Sequence, residues 1–161
     1  YRARLARVLR HSDLVKVSAE DLAWLDPGTP PRAAARALLA LGPSTVLLTR
    51  GAEGAVAIGA WGEIPVVAPP VRVVDTIGAG DAFSGGFLAW WSAHRLDRRA
   101  LARADLVESA TRFAVAVAAA TCARAGATPP SLVPGATRLE PSSIRPADGD
   151  RQSKRSLPAG Q

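Results

Sequence analysis

The stretch from residue 73 to residue 83 constrains the fold of this chain more than any other. An apolar extended segment, Val73-Val74, leads through a turn with Gly78-Ala79-Gly80 into a segment whose aromatic residues recur at helical spacing. A strand, a glycine turn and a helix in this order are typical of proteins in which helices cover a sheet. Because a helix N-terminus presents free backbone amides and the positive end of the helix dipole, the turn predicts an anion site.

The rest of the chain continues this alternation of strands and helices. The apolar run Thr45–Thr49 predicts a strand buried on both faces of a parallel sheet. Further extended segments are predicted at 14–17, 55–58, 63–68 and 71–74, and helices at 1–10, 18–25, 30–41, 80–94 and 105–122. We therefore expect an α/β fold with a layered, mostly parallel sheet flanked by helices.

The last part of the chain has a different composition. Residues 135–161 are rich in Pro, Ser, Gly, Asp and Arg and carry almost no apolar side chains, so we expect a disordered tail there. The total of 161 residues is enough for one hydrophobic core. We therefore expect one folded domain over residues 1–134.

The formal net charge of +6 raises the hypothesis of a nucleic-acid-binding protein. However, the excess of Arg and Lys lies in residues 1–16 and 136–161, whereas residues 17–135 contain equal numbers of basic and acidic residues. A nucleic-acid-binding surface usually gathers its basic residues on one folded face. The distribution of charge therefore argues against a nucleic-acid partner.

Cys122 is the only cysteine, so no disulfide can form within the chain, and a reducing, intracellular setting is the simple interpretation. Its apolar neighbours favour a small buried residue over a nucleophile. Residues 1–10 alternate Arg with Ala, Leu and Val, unlike a secretory signal, and no uncharged apolar run reaches the ~20 residues of a membrane helix. We expect a cytoplasmic protein without membrane contact.

Asp81 falls in the first turn of the helix that follows the glycine turn. A carboxylate beside an anion site repels a phosphate, so its presence there needs an explanation. One explanation is that Asp81 accepts the proton of a hydroxyl group that attacks a phosphoryl group. The other is that Asp81 only complements the helix dipole. The residues alone leave both open.

Other phosphate and metal motifs fail on the residues present. A Walker A loop needs Gly-Lys, but Lys16 and Lys154, the two lysines, follow Val and Ser. Phe83 stands where a dinucleotide-binding turn has its third glycine. No Gly-x-Ser-x-Gly nucleophile elbow occurs, and the two histidines and one cysteine are too far apart in sequence to indicate a zinc site.

Residues 75–83, Asp-Thr-Ile-Gly-Ala-Gly-Asp-Ala-Phe, resemble the C-terminal signature of the ribokinase-type (PfkB) carbohydrate kinase family. The resemblance covers residues 1 to about 133 and implies a ribokinase-like fold. It also implies ATP-dependent phosphorylation of a sugar hydroxyl, with Asp81 as the base and Gly78, Ala79 and Gly80 as the anion hole.

The resemblance implies further site residues. Ser18 and Asp21 stand where many members have an Asn-x-x-Glu segment that helps to organise Mg²⁺ and phosphates, and an ordinary helix cap is the alternative. ATP would be bound by Thr49, Gly51, Gly54 and Val115, although core packing is an equal alternative for Val115.

A second ion is implied as well. In several members a monovalent cation such as K⁺ stiffens the anion hole. The corresponding residues in this chain are Asp75, Thr121, Arg124 and Gly126.

Members of the family are longer, and their N-terminal half supplies the sugar-binding residues and the lid strands. This chain therefore resembles the C-terminal part of the domain, with the lid absent. The Lys16-x-Ser18 pattern is similar to the fructokinase-like branch, so fructose is the preferred acceptor, with ribose, 2-keto-3-deoxygluconate and nucleosides as alternatives. A homodimer is expected for a full-length form. The alternative function is that of a truncated, non-catalytic nucleotide-binding remnant.

Overall fold

The computed structural model describes residues 2–130. The boundary predicted at residue 134 and the tail predicted for residues 135–161 lie outside the described residues. Within them the elements follow the order α1 (Arg2–Leu9), β1 (Leu14–Ser18), α2 (Ala19–Leu25), α3 (Pro31–Leu38), β2 (Thr45–Thr49), β3 (Ala55–Gly59), β4 (Gly62–Val66), α4 (Ala79–Ala93) and α5 (Ala104–Cys122). Short 3₁₀ turns occupy Leu39–Leu41, Gly51–Glu53 and Arg98–Ala102.

The sheet has the order β1-β2-β3-β4 and is mixed. β1 and β2 are parallel, because the chain crosses over through α2 and α3 before it returns. β2 pairs with β3 and β3 with β4 in antiparallel fashion, because only short turns connect them. The layered α/β fold is confirmed, while this part of the sheet is more antiparallel than the sequence predicted.

The central strand β2 is buried on both faces, as its continuous apolar sequence predicts. Leu47 packs into the core formed with α4 and α5. Its neighbours Val46 and Leu48 pack into a second core, formed with α2 and α3 on the other face. Because successive side chains of a strand point to opposite faces, one strand contributes to both layers. The sheet is therefore a rigid support for the loops at its edge.

The helices α4 and α5 pack closely against each other. An added Cβ atom on Gly86 of α4 would lie 3.1 Å from the Cβ atom of Val117 of α5. Glycine at this point lets the two helices approach, which holds the start of α4 at a fixed distance from the wall that α5 forms.

The connection from β4 to α4 differs from the sequence prediction. The segment 71–74 was predicted to be extended and forms no strand. Pro69 and Pro70 precede it and have no amide to donate to a ladder. The amide of Val74 instead donates to the carbonyl of Cys122 at 2.8 Å, which draws the segment to the end of α5. Helix α4 begins at Ala79, one residue before the predicted start.

Over residues 2–130, no helix combines the length and the apolar character needed to cross a bilayer.

Candidate functional site

A cavity of about 610 Å³ opens between the ends of β1 and β2, the start of α4 and one side of α5. It brings together predicted site residues from four separate parts of the sequence. Those in its lining are Ser18, Thr49, Gly51, Gly54, Ala79, Gly80 and Val115. The other predicted site residues, Asp21, Asp75, Gly78, Asp81, Thr121, Arg124 and Gly126, are outside the lining.

The glycine turn has a conformation that only glycine adopts easily. Gly78 is the N-cap of α4 and has φ 77° and ψ 0°, in the left-handed region. An added Cβ atom there would lie 2.7 Å from the Cβ atom of Ala127, which is closer than two carbon atoms approach when they are not bonded to each other. The loop after α5 therefore forms one side of the turn and fixes its shape.

The amides at this turn are only partly used within the protein. The Ala79 amide donates to the carbonyl of Thr76 at 3.2 Å, and the Ala82 amide donates to the carbonyl of Gly78 at 2.8 Å. The amides of Gly80 and Asp81 have no hydrogen-bond acceptor among the described residues. Unpaired amides in the first turn of a 15-residue helix are the donors that an anion needs.

Lys16 adds a positive charge at the same place. Its ammonium Nζ lies 3.1 Å from the position that a Cβ atom would take on Gly80, and its side chain lines the cavity. A side chain on residue 80 would push this ammonium group away, so a glycine there keeps the lysine against the helix start. In the sequence, Lys16 indicates only the fructokinase-like branch. A usable signal was its i, i+2 spacing to Ser18, which puts both side chains on one face of β1.

Asp81 lies in the first turn of α4 and is exposed. Its carboxylate makes no hydrogen bond or ion pair with another described residue. The carboxylate is thus not packed into the interior, and it is adjacent in sequence to Gly80, which lines the cavity. A free carboxylate at the rim of an anion site can accept a proton from a group that enters there.

Asp75 connects the turn to the segment that follows α5. One carboxylate oxygen accepts a hydrogen bond from the Ile77 amide at 2.9 Å, and the other accepts one from the Gly126 amide at 3.1 Å. These two hydrogen bonds hold the pKa of Asp75 below its ordinary value, and the bond from the Ile77 amide has the larger effect. Burial acts in the opposite direction. Asp75 and Gly126, both predicted to lie near a monovalent cation, are thus in direct contact.

The end of α5 holds the remaining residues of that predicted cation site. The carbonyl of Thr121 accepts a hydrogen bond from the Arg124 amide at 3.1 Å, while its buried hydroxyl donates to Val117 at 2.9 Å. The neighbouring Cys122 lines the cavity. Burial, and secondly the charge of Asp75, raise the pKa of its thiol. The thiol is therefore protonated at neutral pH.

Ser18 and Asp21 form a capping box at the start of α2. The Ser18 hydroxyl accepts a hydrogen bond from the Asp21 amide at 3.0 Å, and the Asp21 carboxylate accepts one from the Ser18 amide at 3.3 Å. Between them in sequence, Glu20 lines the cavity, whereas Asp21 does not. Both hydrogen bonds of a helix cap are therefore present for this pair, and Glu20, which the sequence motif does not mark, is the acidic residue among those that line the cavity.

The chain is similar to known carbohydrate kinases. Residues 1–133 match the pfkB family of carbohydrate kinases. The chain is 42% identical over 87 residues to a fructokinase of Rhizobium leguminosarum bv. trifolii, covering 54% of this chain and 27% of the relative. It is 44% identical over 84 residues to an aminoimidazole riboside kinase of Salmonella typhimurium, covering 52% of this chain and 26% of the relative.

Solved structures show the same relationship. The crystal structure of aminoimidazole riboside kinase from Salmonella enterica, complexed with aminoimidazole riboside and an ATP analog, superposes with a TM-score of 0.63 at 37% identity, over 76% of this chain and 40% of that one. The crystal structure of the fructokinase from Vibrio cholerae O395, with fructose, ADP and calcium ion bound, superposes with a TM-score of 0.69 at 28% identity. The superposition covers 78% of this chain and 40% of that one. In the sequence comparison, the chain spans about a quarter of the length of the Rhizobium fructokinase and of the Salmonella typhimurium riboside kinase.

Proposed function

The chain belongs to the pfkB family of carbohydrate kinases, and from this membership we propose that it carries the ATP-binding and phosphoryl-transferring part of a sugar kinase. One observation supports this assignment above the others. The ammonium group of Lys16 lies against Gly80 at the N-terminus of α4, and Asp81, whose carboxylate has no partner among the described residues, follows Gly80 in sequence. A cation, unpaired amides and a general base are the parts that phosphoryl transfer to an alcohol requires.

The nucleotide occupies the 610 Å³ cavity, which is within the size range of small-molecule sites. The side chains of Phe83 and Val115, with Ala118 and Ala119, form an apolar wall that suits a purine base. Thr49, Gly51 and Gly54 line the cavity from the end of β2, where small residues leave room for the sugar and phosphates of ATP. The phosphates then extend towards Lys16 and Gly80.

In the reaction, the Asp81 carboxylate accepts the proton of the acceptor hydroxyl as its oxygen attacks the γ-phosphorus of ATP. The bond from the γ-phosphorus to the bridging oxygen breaks, and ADP leaves with that electron pair. Charge that develops on the transferred group is stabilised by the amides of Gly80 and Asp81 and by the Lys16 ammonium. The products are a sugar phosphate and ADP, and the proton resides on Asp81 until it passes to solvent.

The described residues fit Mg²⁺ delivered with ATP. No group of three or more His, Cys, Asp or Glu side chains that could hold a metal is found among residues 2–130. Mg²⁺ commonly keeps several waters and binds through one or two carboxylates together with substrate phosphates. Glu20 is the acidic residue in the cavity lining, and the hydroxyl-bearing residues there are Ser18, Thr49 and Thr76. The ion neutralises phosphate charge when bound.

A monovalent cation such as K⁺ is proposed beside the turn, held by Asp75 and the carbonyl groups of Thr121, Arg124 and Gly126. The Asp75–Gly126 hydrogen bond supports this placement because it brings two of these residues together. The ion would stiffen the segment that shapes the anion site.

The proposed acceptor is fructose, since the Lys16-x-Ser18 pattern is similar to the fructokinase branch and fructokinases are among the relatives. Ribose, 2-keto-3-deoxygluconate and nucleosides are the alternatives in the same family, and one relative is an aminoimidazole riboside kinase. A cytoplasmic location and a homodimer of a longer form belong to the same proposal.

The test is ADP release with ATP and a panel of sugars, on a protein that carries this chain within a whole kinase domain. We expect sugar-dependent ADP release, fastest with fructose. If the protein binds ATP but no sugar of the panel raises ADP release above the sugar-free control, the non-catalytic nucleotide-binding alternative replaces the kinase.

A further inference from the structure

One side of the cavity is formed by a single face of α5. Val115, Ala118, Ala119 and Cys122 line the cavity, and their spacing places them on the same side of the helix. Phe83 of α4 extends this surface. Phe83 and Val115 are only 3% and 4% exposed, so the core fixes their positions. We call these five residues the base wall.

The base wall has very few groups that can form a hydrogen bond. Phe83, Val115 and the two alanines have no polar side-chain atom, and the Cys122 thiol is a weak donor and a weak acceptor. Residues 115–119 lie within α5, where backbone amides and carbonyls bond to one another. A flat ring against this wall is therefore held by apolar contact and not by hydrogen bonds.

The loop between β4 and α4 forms another apolar side of the cavity. Its lining residues are Ala68, Pro69, Pro70, Val71 and Val73. The two prolines have no amide hydrogen to donate. Val73 is 56% exposed, so solvent reaches the cavity beside it. A nucleotide base that contacts these apolar surfaces can keep its polar edge in water.

The charged and hydroxyl-bearing side chains of the lining belong to other elements. Ser18 and Thr49 face each other in the register of β1 and β2, at the ends of these strands. The Lys16 ammonium lies against Gly80 at the start of α4. These groups suit phosphates and a ribose, which all nucleoside triphosphates have in common. The polar part of the lining therefore does not distinguish one base from another.

We propose that this cavity binds purine nucleoside triphosphates with little discrimination between bases, so that GTP and ITP are phosphoryl donors alongside ATP. The inference rests on the proposed function, since it requires the nucleotide base to lie against the base wall. A site that forms hydrogen bonds to a substrate rejects the wrong one by about 10⁴–10⁵-fold, whereas an apolar pocket reaches only about 10². Pyrimidine nucleotides bind more weakly than purine nucleotides, because a smaller ring buries less apolar area.

The experiment measures the Kd of ATP, GTP, ITP and inorganic tripolyphosphate for the 161-residue chain by calorimetry, each with Mg²⁺. ATP and ITP differ at position 6 of the purine, and ITP and GTP differ by the 2-amino group, so the comparison tests each polar position separately. We expect the three nucleotides to bind within about tenfold of one another, which is about 1.4 kcal/mol. Tripolyphosphate should bind more weakly than all three, because it lacks a base.

A variant of the base wall tests the position of the base. Ala118→Leu adds apolar bulk in front of the wall and should weaken all three nucleotides by a similar factor, while tripolyphosphate binds as in the parent. Ala116→Leu is the matched control, because Ala116 is on the same helix, is also partly buried and is outside the cavity lining. Leucine is a good helix former, so α5 should persist in both variants.

The outcomes separate this inference from the kinase proposal. If ATP binds more than about a hundredfold more tightly than GTP or ITP, the site reads the base. The inference is then wrong and the kinase proposal stands. A loss of affinity in Ala118→Leu that is confined to ATP, or tripolyphosphate that binds as tightly as ATP, also contradicts the inference. A folded parent that binds none of the three nucleotides overturns the proposed function first.

Discussion

The carboxylate of Asp75 accepts a hydrogen bond of 3.1 Å from the amide of Gly126, a residue 51 positions further along the chain. The bond joins the glycine turn before α4 to the segment that follows α5. The turn presents the proposed phosphate site, and α5 contributes Val115 and Cys122 to the cavity wall. A change at Asp75 should therefore affect both parts of the site together.

The first prediction concerns acid stability. The amides of Ile77 and Gly126 depress the pKa of Asp75 below its ordinary value of 3.8. A depressed pKa contributes stability that is complete above 3.8 and is lost as the pH falls through the folded-state pKa. Asp75→Asn should therefore lower the urea midpoint at neutral pH, and its difference from the parent should shrink in strong acid.

The control for Asp75→Asn is Asp26→Asn, which changes an exposed carboxylate that has no side-chain hydrogen bond among the described residues. This variant should have nearly the parent's midpoint at both pH values. If the difference between Asp75→Asn and the parent is as large in strong acid as at neutral pH, the charge of Asp75 does not contribute through these amides.

The second prediction concerns the proposed base. Asp81→Asn, placed in a whole kinase domain, should lower kcat by about 10²–10⁴-fold, which is the usual contribution of a general base. The Kd of ATP should stay close to the parent's, since Asp81 is not in the cavity lining. Asp105→Asn is the control, because Asp105 also lies in the first turn of a helix but is outside the cavity lining and pairs with Arg103, so its kcat should stay at the parent's value. Near-normal turnover in Asp81→Asn would remove Asp81 from the mechanism.

The third prediction concerns the lysine at the start of α4. Lys16→Met removes the charge but keeps the aliphatic chain, so the fold should persist while ATP binds about tenfold more weakly or worse. The remaining affinity should also depend less on salt. Arg7→Met removes one charge from the exposed side of α1 and serves as the control for net charge. Equal ATP affinities in the two variants would contradict a phosphate contact of Lys16.

The fourth prediction compares Gly78, the N-cap of α4, with Gly85 in the interior of the same helix. Gly78→Ala should destabilise the protein by at least about 1–2 kcal/mol, because its φ is positive and Ala127 occupies the space of the new methyl group. Gly85→Ala meets no atom within 4 Å and should stabilise α4 by about 0.5–1 kcal/mol. Urea unfolding of the two variants measures both values, and a Gly78→Ala variant as stable as the parent would refute the strained turn.

The fifth prediction uses the single cysteine as a reporter. Burial and the charge of Asp75 raise the pKa of Cys122, so a thiol-alkylating reagent should react slowly at neutral pH and faster as the pH rises above the ordinary thiol value. ATP should slow the reaction, because Cys122 lines the cavity. Asp75→Asn should accelerate it, because one charge that opposes the thiolate is gone. Labelling that saturating ATP leaves unchanged would place the nucleotide elsewhere.

Local patterns were sufficient to predict most of the elements. The apolar run of β2, the capping-box sequence before α2 and the helical spacing of the aromatic residues in α4 each depend on neighbours in sequence. The segment 71–74 shows the limit of such patterns. Its apolar residues suit a strand, but the segment follows two prolines. The amide of Val74 donates its hydrogen bond to the carbonyl of Cys122, about 50 positions away.

The site was predicted as far as its motif extends. Asp81 and Gly80 could be selected because they are adjacent in sequence, but the approach of Lys16 to Gly80 joins β1 to α4 and appears only in three dimensions. Glu20 and Asp21 are neighbours in sequence and both are acidic. The structure shows that Asp21 caps α2, whereas Glu20 is among the residues that line the cavity.

The contact between Gly78 and Ala127 also limits how this chain can be trimmed for crystallisation or as a soluble reagent. Ala127 lies beyond the last residue of α5, so a boundary drawn at the end of the helix would look acceptable. Such a cut would remove Gly126 and Ala127, and the turn at Gly78 would lose the residues against which its backbone packs. A shortened version intended for ligand screening should therefore extend past Ala127.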